Sequence, residues 1–266
     1  MTRLSRLVAF RFRVAEVLPP GDPTTASAVR LMMAVDDVRR AQILLVDAME
    51  RLEEPAERHR AGGDFLYAAR LLFSHLHEAG HALRQLDAAA RGDDGENRIN
   101  GLLAGEDHRE GMVALKACRR FFSAQGYWAS LIPRVRNAIG SHYDERVVAE
   151  LVKDEFTGDQ LLESTAASVG GLARMADPVV RAIMTRLNSG DFMADESQTQ
   201  CVSQALDVTG NLITFVDYLF DALLRAHPDA IVEKDTRIVD VPPLIARAGE
   251  AVETARSRLR GERPRG

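Results

Sequence analysis

The sequence predicts an all-α fold, an up-and-down helical bundle with additional peripheral helices. Apolar residues recur at spacings of three and four over most of the chain, and strand-like alternation is confined to short stretches. No G-x-G-x-x-G or P-loop fingerprint is present. The 266 residues are 46% hydrophobic, enough for one sizeable core. We expect an N-terminal segment (1–23), a bundle domain (24–228) and a C-terminal extension (229–266) with one helix and a disordered tail.

Two long helices are predicted first. A turn rich in proline and glycine precedes Thr24 and Thr25, either of which can cap the first helix. The second is expected to begin at Asp64, a good N-cap after Gly62 and Gly63. Its apolar stripe consists of Phe65, Ala69, Leu72, Leu76, Ala79, Leu83 and Leu86.

The same reasoning predicts helices over residues 107–123, 197–226 and 244–259, with Pro228 stopping the second of these. Residues 8–14 alternate as in a strand, and residues 231–241 are predicted to be a lone extended piece.

Composition indicates a cytoplasmic protein without a membrane partner. No apolar run reaches the roughly 18 to 20 residues that a membrane helix needs, and arginines interrupt the start of the chain where a signal peptide would be apolar. Two cysteines, Cys118 and Cys201, cannot form a disulfide framework and are most simply small buried hydrophobes. The net charge of −5 argues against non-specific coating of nucleic acid but leaves room for a local basic site.

A first motif, His77-Glu78-Ala79-Gly80-His81, matches the H-E-x-x-H zinc signature. Two histidines four residues apart share one helix face, so both could bind Zn²⁺ while Glu78 acts as the base. Residues 76–83 resemble the zinc helix of the membrane-bound AAA-type proteases, which implies zinc and peptidase activity.

The helical wheel weakens this zinc interpretation. At ~100° per residue, His77 and His81 lie roughly 120° and 160° from the centre of the apolar stripe, on the solvated face. The third ligand is also unassigned, although Glu106, His108 and Glu110 are at a permissible distance in sequence. A zinc metallopeptidase therefore remains the alternative.

A second motif begins with Arg136 and Asn137 and continues to His142, Tyr143 and Asp144. Arginine followed directly by asparagine, with a histidine four to six intervening residues after the arginine, is expected by chance only roughly 0.05 times in this chain. The segment resembles the HEPN superfamily, all-helical proteins of toxin, abortive-infection and CRISPR-associated systems. That resemblance implies a ribonuclease of toxin–antitoxin or phage-defence type, RNA as substrate, a homodimer and, for a toxin, a cognate antitoxin.

The residues of this motif suit metal-independent RNA cleavage, without a cofactor. Arg136 can hold a phosphate through two parallel hydrogen bonds, and His142 can exchange a proton with the ribose 2′-OH or the leaving oxygen. Asn137 would orient the phosphate or the arginine, and Tyr143 could stack on a base. Two readings stay open beside an active enzyme: a degenerate relative, and a non-catalytic helical interaction protein in which both motifs are scaffold.

Overall fold

The computed structural model describes residues 4–54, 56–92, 95–123, 132 and 195–240. Helices dominate these residues, which confirms the all-α prediction. The elements are β1 (Leu4–Phe12), α1 (Val14–Val17), α2 (Pro23–Leu52), α3 (Arg58–Ala89), α4 (Arg98–Leu102), α5 (Arg109–Phe121), α6 (Asp195–Ala226) and β2 (Ile231–Asp240), with 3₁₀ turns at Glu106–His108 and Pro228–Ala230. The helix predicted over 244–259 and the tail lie outside the described residues.

Helix α2 begins two residues earlier than the first of the predicted caps, Thr24, would allow. Asp22 is the N-cap, and its Oδ1 accepts hydrogen bonds from the Thr24 backbone N–H at 2.8 Å and from the Thr24 hydroxyl at 2.6 Å. Pro23 follows at the first helical position, where its missing N–H costs nothing. The hydrogen bonds from Thr24 hold the pKa of Asp22 below its ordinary value.

Helix α3 begins at Arg58 rather than at Asp64, so the predicted cap is wrong. Gly62 and Gly63 lie inside the helix, although glycine there costs about 1 kcal/mol relative to alanine. The Asp64 carboxylate accepts a hydrogen bond from Arg51 Nη1 of α2 at 2.8 Å. Packing of α3 against α2 thus outweighs the local preference of the glycines.

The core lies between two antiparallel helix pairs. Helix α3 packs against α2, α6 packs against α5, and α6 also contacts α2. The largest fully buried side chains include Phe73, Phe215, Leu31, Leu45, Leu72, Leu76, Leu83, Leu86, Leu103 and Leu115. Cys118 is fully buried among them, as expected, and burial raises the pKa of its thiol to about 12.

Two glycines let these helices approach closely. A Cβ on Gly80 of α3 would lie 2.6 Å from the Cδ1 atom of Phe122, and a Cβ on Gly111 of α5 would overlap Tyr218 of α6. Gly80 is also the fourth residue of the H-E-x-x-H motif. Its identity in that motif is therefore explained by packing.

The two ends of the described chain meet. Strands β1 and β2 pair antiparallel, from Leu4 opposite Asp240 to Phe12 opposite Ile231. The segment predicted to be lone is therefore paired with the N-terminal strand, a contact between residues too distant in sequence for local patterns to reveal. Phe12 also packs edge-on against Phe220 of α6, with ring centroids 5.5 Å apart, and joins the ribbon to the bundle.

Candidate functional site

The residues of the R-N-x₄-H motif, Arg136, Asn137, His142 and Tyr143, lie outside the described residues. Their assignment to a site remains a prediction from the sequence. The H-E-x-x-H motif, His77 to His81, is described in full and lies in the middle of α3.

Glu78 of α3 pairs with Arg30 of α2, and His77 contacts Glu78. The His77 side chain is 24% exposed and that of Glu78 is 40% exposed, and His81 is also half-buried. This differs from the solvated face that the helical wheel predicts. The helical wheel takes account of α3 alone. In the structure, Arg30 of the neighbouring α2 contacts Glu78 and Gln85 of α3.

A polar network connects the motif to α2. His77 Nδ1 lies 3.3 Å from Glu78 Oε1, and Glu78 Oε2 lies 3.7 Å from Arg30 Nη2. Arg30 Nη1 donates to Gln85 Oε1 at 2.9 Å. The Gln85 amide nitrogen lies 3.1 Å from His81 Nε2 and, being a donor only, requires that nitrogen to accept.

This network occupies the groups that a zinc peptidase would need. The Nε2 lone pair of the proposed ligand His81 accepts from Gln85, and the carboxylate of the proposed base Glu78 is paired with Arg30. Among the described residues, no group of three or more His, Cys, Asp or Glu side chains is placed to hold a metal ion. The geometry gives the zinc interpretation no support.

Two of the three candidate third ligands, His108 and Glu110, are engaged elsewhere. His108 is only 8% exposed, and its Nε2 lies 3.2 Å from Asp221 Oδ2 of α6. Glu110 accepts a hydrogen bond from the Tyr218 hydroxyl at 2.8 Å, which raises the pKa of that phenol. Both contacts connect the beginning of α5 to α6.

Arg225 joins His108 and Asp221 in one polar cluster between α5 and α6. Its Nε lies 2.8 Å from Asp221 Oδ2 and its Nη1 lies 2.7 Å from Asp107 Oδ2, and these carboxylates raise the pKa of the guanidinium. Local sequence patterns do not reveal this cluster, because Asp107 and His108 lie more than a hundred residues before Asp221 and Arg225. The only local signal is the spacing of Asp221 and Arg225, four residues apart on one helix.

A histidine held by a carboxylate is the arrangement that orients a general base. Within the described part of the chain, the aromatic neighbour of His108 is Tyr218, whose ring centre lies 6.3 Å away. The Tyr218 hydroxyl is already committed to Glu110. The cluster therefore holds the start of α5 against α6.

None of the described helices combines the length and apolar character needed to cross a membrane. No protein-family model, curated protein or solved structure matches the chain.

Proposed function

We propose that the protein is a HEPN-like, metal-independent endoribonuclease of toxin or defence type, with Arg136, Asn137 and His142 as its site. The observation that carries the proposal is the Arg136-Asn137 pair followed by His142 in a chain whose described residues form a helical bundle. The bundle suits the resemblance, because HEPN proteins are all-helical. The occupied polar groups around His77 and His81 favour it over the zinc alternative.

The chemistry of the proposed site follows from its residues. Arg136 stays charged at every relevant pH and stabilises negative charge on the phosphoryl group that is transferred. His142 accepts the proton of the ribose 2′-OH or returns one to the leaving 5′-oxygen, because histidine side chains ordinarily exchange protons near neutral pH. Attack of the 2′-oxygen on the adjacent phosphorus would leave a 2′,3′-cyclic phosphate as the first product.

The proposal includes a homodimer in the cytoplasm. On an ideal helix, residues six apart differ by about 240°, so Arg136 and His142 meet either through a helix break at Gly140 or across a dimer. We expect the protein to sediment as a dimer at micromolar concentration. A strict monomer would require the site to close within one chain.

Cleavage of a labelled single-stranded RNA in EDTA tests the proposed activity. We expect the wild-type protein to cut the RNA, His142→Ala to lose roughly 10²- to 10⁴-fold in rate, and Arg136→Ala to weaken both binding and turnover. Arg40→Ala is the matched control, since Arg40 is 73% exposed on α2 and pairs only with Asp36 of the same helix among the described residues.

Circular dichroism of each variant separates loss of activity from loss of fold. Equal cleavage by wild type and both site variants would assign the activity elsewhere and overturn the proposal. If the protein cleaves no RNA and the variants lose helix, the two residues are structural. The non-catalytic interaction protein would then be the favoured interpretation.

A further inference from the structure

A cavity of about 530 Å³ opens at one end of the bundle. It lies where the turn after α1, the first turns of α2, the end of α3, helix α4 and the end of α6 meet. Its floor consists of buried aliphatic side chains: Val17, Ala28, Leu86, Ile99 and Leu219. None of the described residues that line the cavity belongs to either sequence motif.

The size and lining of this cavity are those of a ligand site. Protein interiors pack at the density of organic crystals, with few voids larger than a water molecule. Ligand pockets typically measure about 300 to 1,000 Å³, with mostly apolar walls and a small number of polar groups. An apolar cavity of about 150 Å³ is already large enough to hold benzene.

Two charged side chains, Asp22 and Arg98, lie among the residues around the cavity. Arg98 Nη1 is 3.7 Å from Asp22 Oδ2, a distance too long for a hydrogen bond. Thr24 donates both of its hydrogen bonds to Asp22 Oδ1, and Oδ2 is the oxygen that faces Arg98. The Arg98 side chain is 65% exposed and makes no hydrogen bond within the described residues. The donors at the cavity therefore belong mainly to Arg98.

We propose that this cavity binds a small amphiphilic carboxylate, with its hydrocarbon chain on the aliphatic floor and its head group held by Arg98. A guanidinium presents parallel N–H donors that match the two oxygens of a carboxylate. The floor removes the chain from water, which is favourable in proportion to the apolar area buried. Thr24 holds Asp22 Oδ1 at the start of α2, and Asp22 Oδ2 is the oxygen with which the ligand carboxylate competes for Arg98.

Calorimetric titration of the full chain with decanoate tests the proposal. We expect saturable binding of one decanoate per protein chain. Decylamine should bind at least tenfold more weakly because its head group is positively charged, and butyrate because its hydrocarbon chain is short. Arg98→Gln should weaken decanoate binding about tenfold, the loss expected for a charge-assisted pair.

A matched pair of substitutions on α2 locates the binding. Ala28 is buried on the cavity floor, whereas Ala26 is exposed on the same helix. Ala28→Leu should abolish decanoate binding, and Ala26→Leu should leave it unchanged. Thermal melts of both variants check the fold, and Leu102→Phe, at a half-buried position of the same cavity, provides a second filling variant.

The expected pattern is loss of binding in a folded filling variant together with weaker binding in Arg98→Gln. Equal affinity for decanoate and decylamine would overturn the assignment of the head group. Absence of saturable binding, or wild-type binding in the folded Ala28→Leu and Leu102→Phe variants, would overturn the site. Neither result bears on RNA cleavage, which is measured separately.

Discussion

Gly80 and Gly62 lie on the same helix, α3, but have different surroundings. A Cβ on Gly80 would meet the Phe122 ring at 2.6 Å, whereas a Cβ on Gly62 would meet nothing within 4 Å. We expect Gly80→Ala to lower the free energy of unfolding by about 1–3 kcal/mol, because an added methyl group overpacks the core. Gly62→Ala should raise it by about 0.5–1 kcal/mol, since alanine restricts the unfolded chain.

Urea denaturation of both variants measures the two shifts. Shifts of the same sign would show that backbone preference, and not the Phe122 ring, decides the outcome at both positions.

Asp22 gives the beginning of α2 a dependence on pH. The hydrogen bonds from Thr24 lower the pKa of Asp22 in the folded protein. The ionised carboxylate therefore stabilises the folded state at pH values above the ordinary aspartate pKa, about 3.9. This stabilisation is lost as the pH falls through the lower pKa of the folded state. Asp22→Asn keeps a capping oxygen but removes this titration. We expect any advantage of wild type over Asp22→Asn in melting temperature to disappear on acidification below about pH 4.

Asp22→Ala is the control for the cap itself, because it removes the capping oxygen at every pH and should cost about 1 kcal/mol at neutral pH. A melting-temperature difference between wild type and Asp22→Asn that stays constant from pH 7 to pH 2 would contradict the assigned cause of the pKa shift.

At the scale of elements, α5 is held to α6 by unequal contacts. Asp107 and Asp221 each pair with Arg225, but Asp221 also contacts the nearly buried His108. Asp221→Ala should lower the free energy of unfolding by about 1–3 kcal/mol, because it leaves a buried ring nitrogen without its partner. Asp107→Ala removes an exposed pair and should cost at most about 1 kcal/mol.

Urea denaturation at neutral pH compares these two variants directly. Equal losses would mean that the ion pair with Arg225 accounts for both and that His108 adds nothing.

Helix periodicity predicts which segments of the described chain are helical, because each apolar stripe is a local property of the sequence. Residues 197–226 illustrate this, since the observed α6 covers them with two more residues at its beginning. Helix starts are predicted less well. Asp64 is a good cap on its own, but its carboxylate binds Arg51 of α2, and packing extends α3 upstream to Arg58.

Contacts across the bundle were beyond reach of the sequence. Arg30 and Gln85 are 55 positions apart, and their hydrogen bond belongs to the polar network around the H-E-x-x-H motif. The cluster of His108 and Asp221 joins residues separated by 113 positions. Local motifs can nominate such residues, as they nominate Arg136 and His142, but the partners come from the fold.

At the scale of the whole molecule, the strand ribbon should depend on both of its ends. A two-stranded ribbon is marginal by itself in water. We therefore expect deletion of residues 1–12 to abolish hydrogen-exchange protection of the β2 amides while those of α2 and α3 stay protected, because the buried contacts of those helices belong to the bundle core. Mass spectrometry of exchanged peptides measures both regions, and unchanged protection over residues 231–240 would show that β2 is held by other contacts.

The ribbon also has a consequence for biosynthesis. About 220 residues separate Phe12 from its partner Ile231. At translation rates of about 5–20 residues per second, β2 is therefore synthesised on the order of 10 to 40 s after β1. Throughout that interval β1 presents unpaired backbone groups, the feature that recruits other strands. A nascent chain on a crowded polysome is thus most open to pairing with its neighbours before β2 emerges, and closing the ribbon is a late event of its folding.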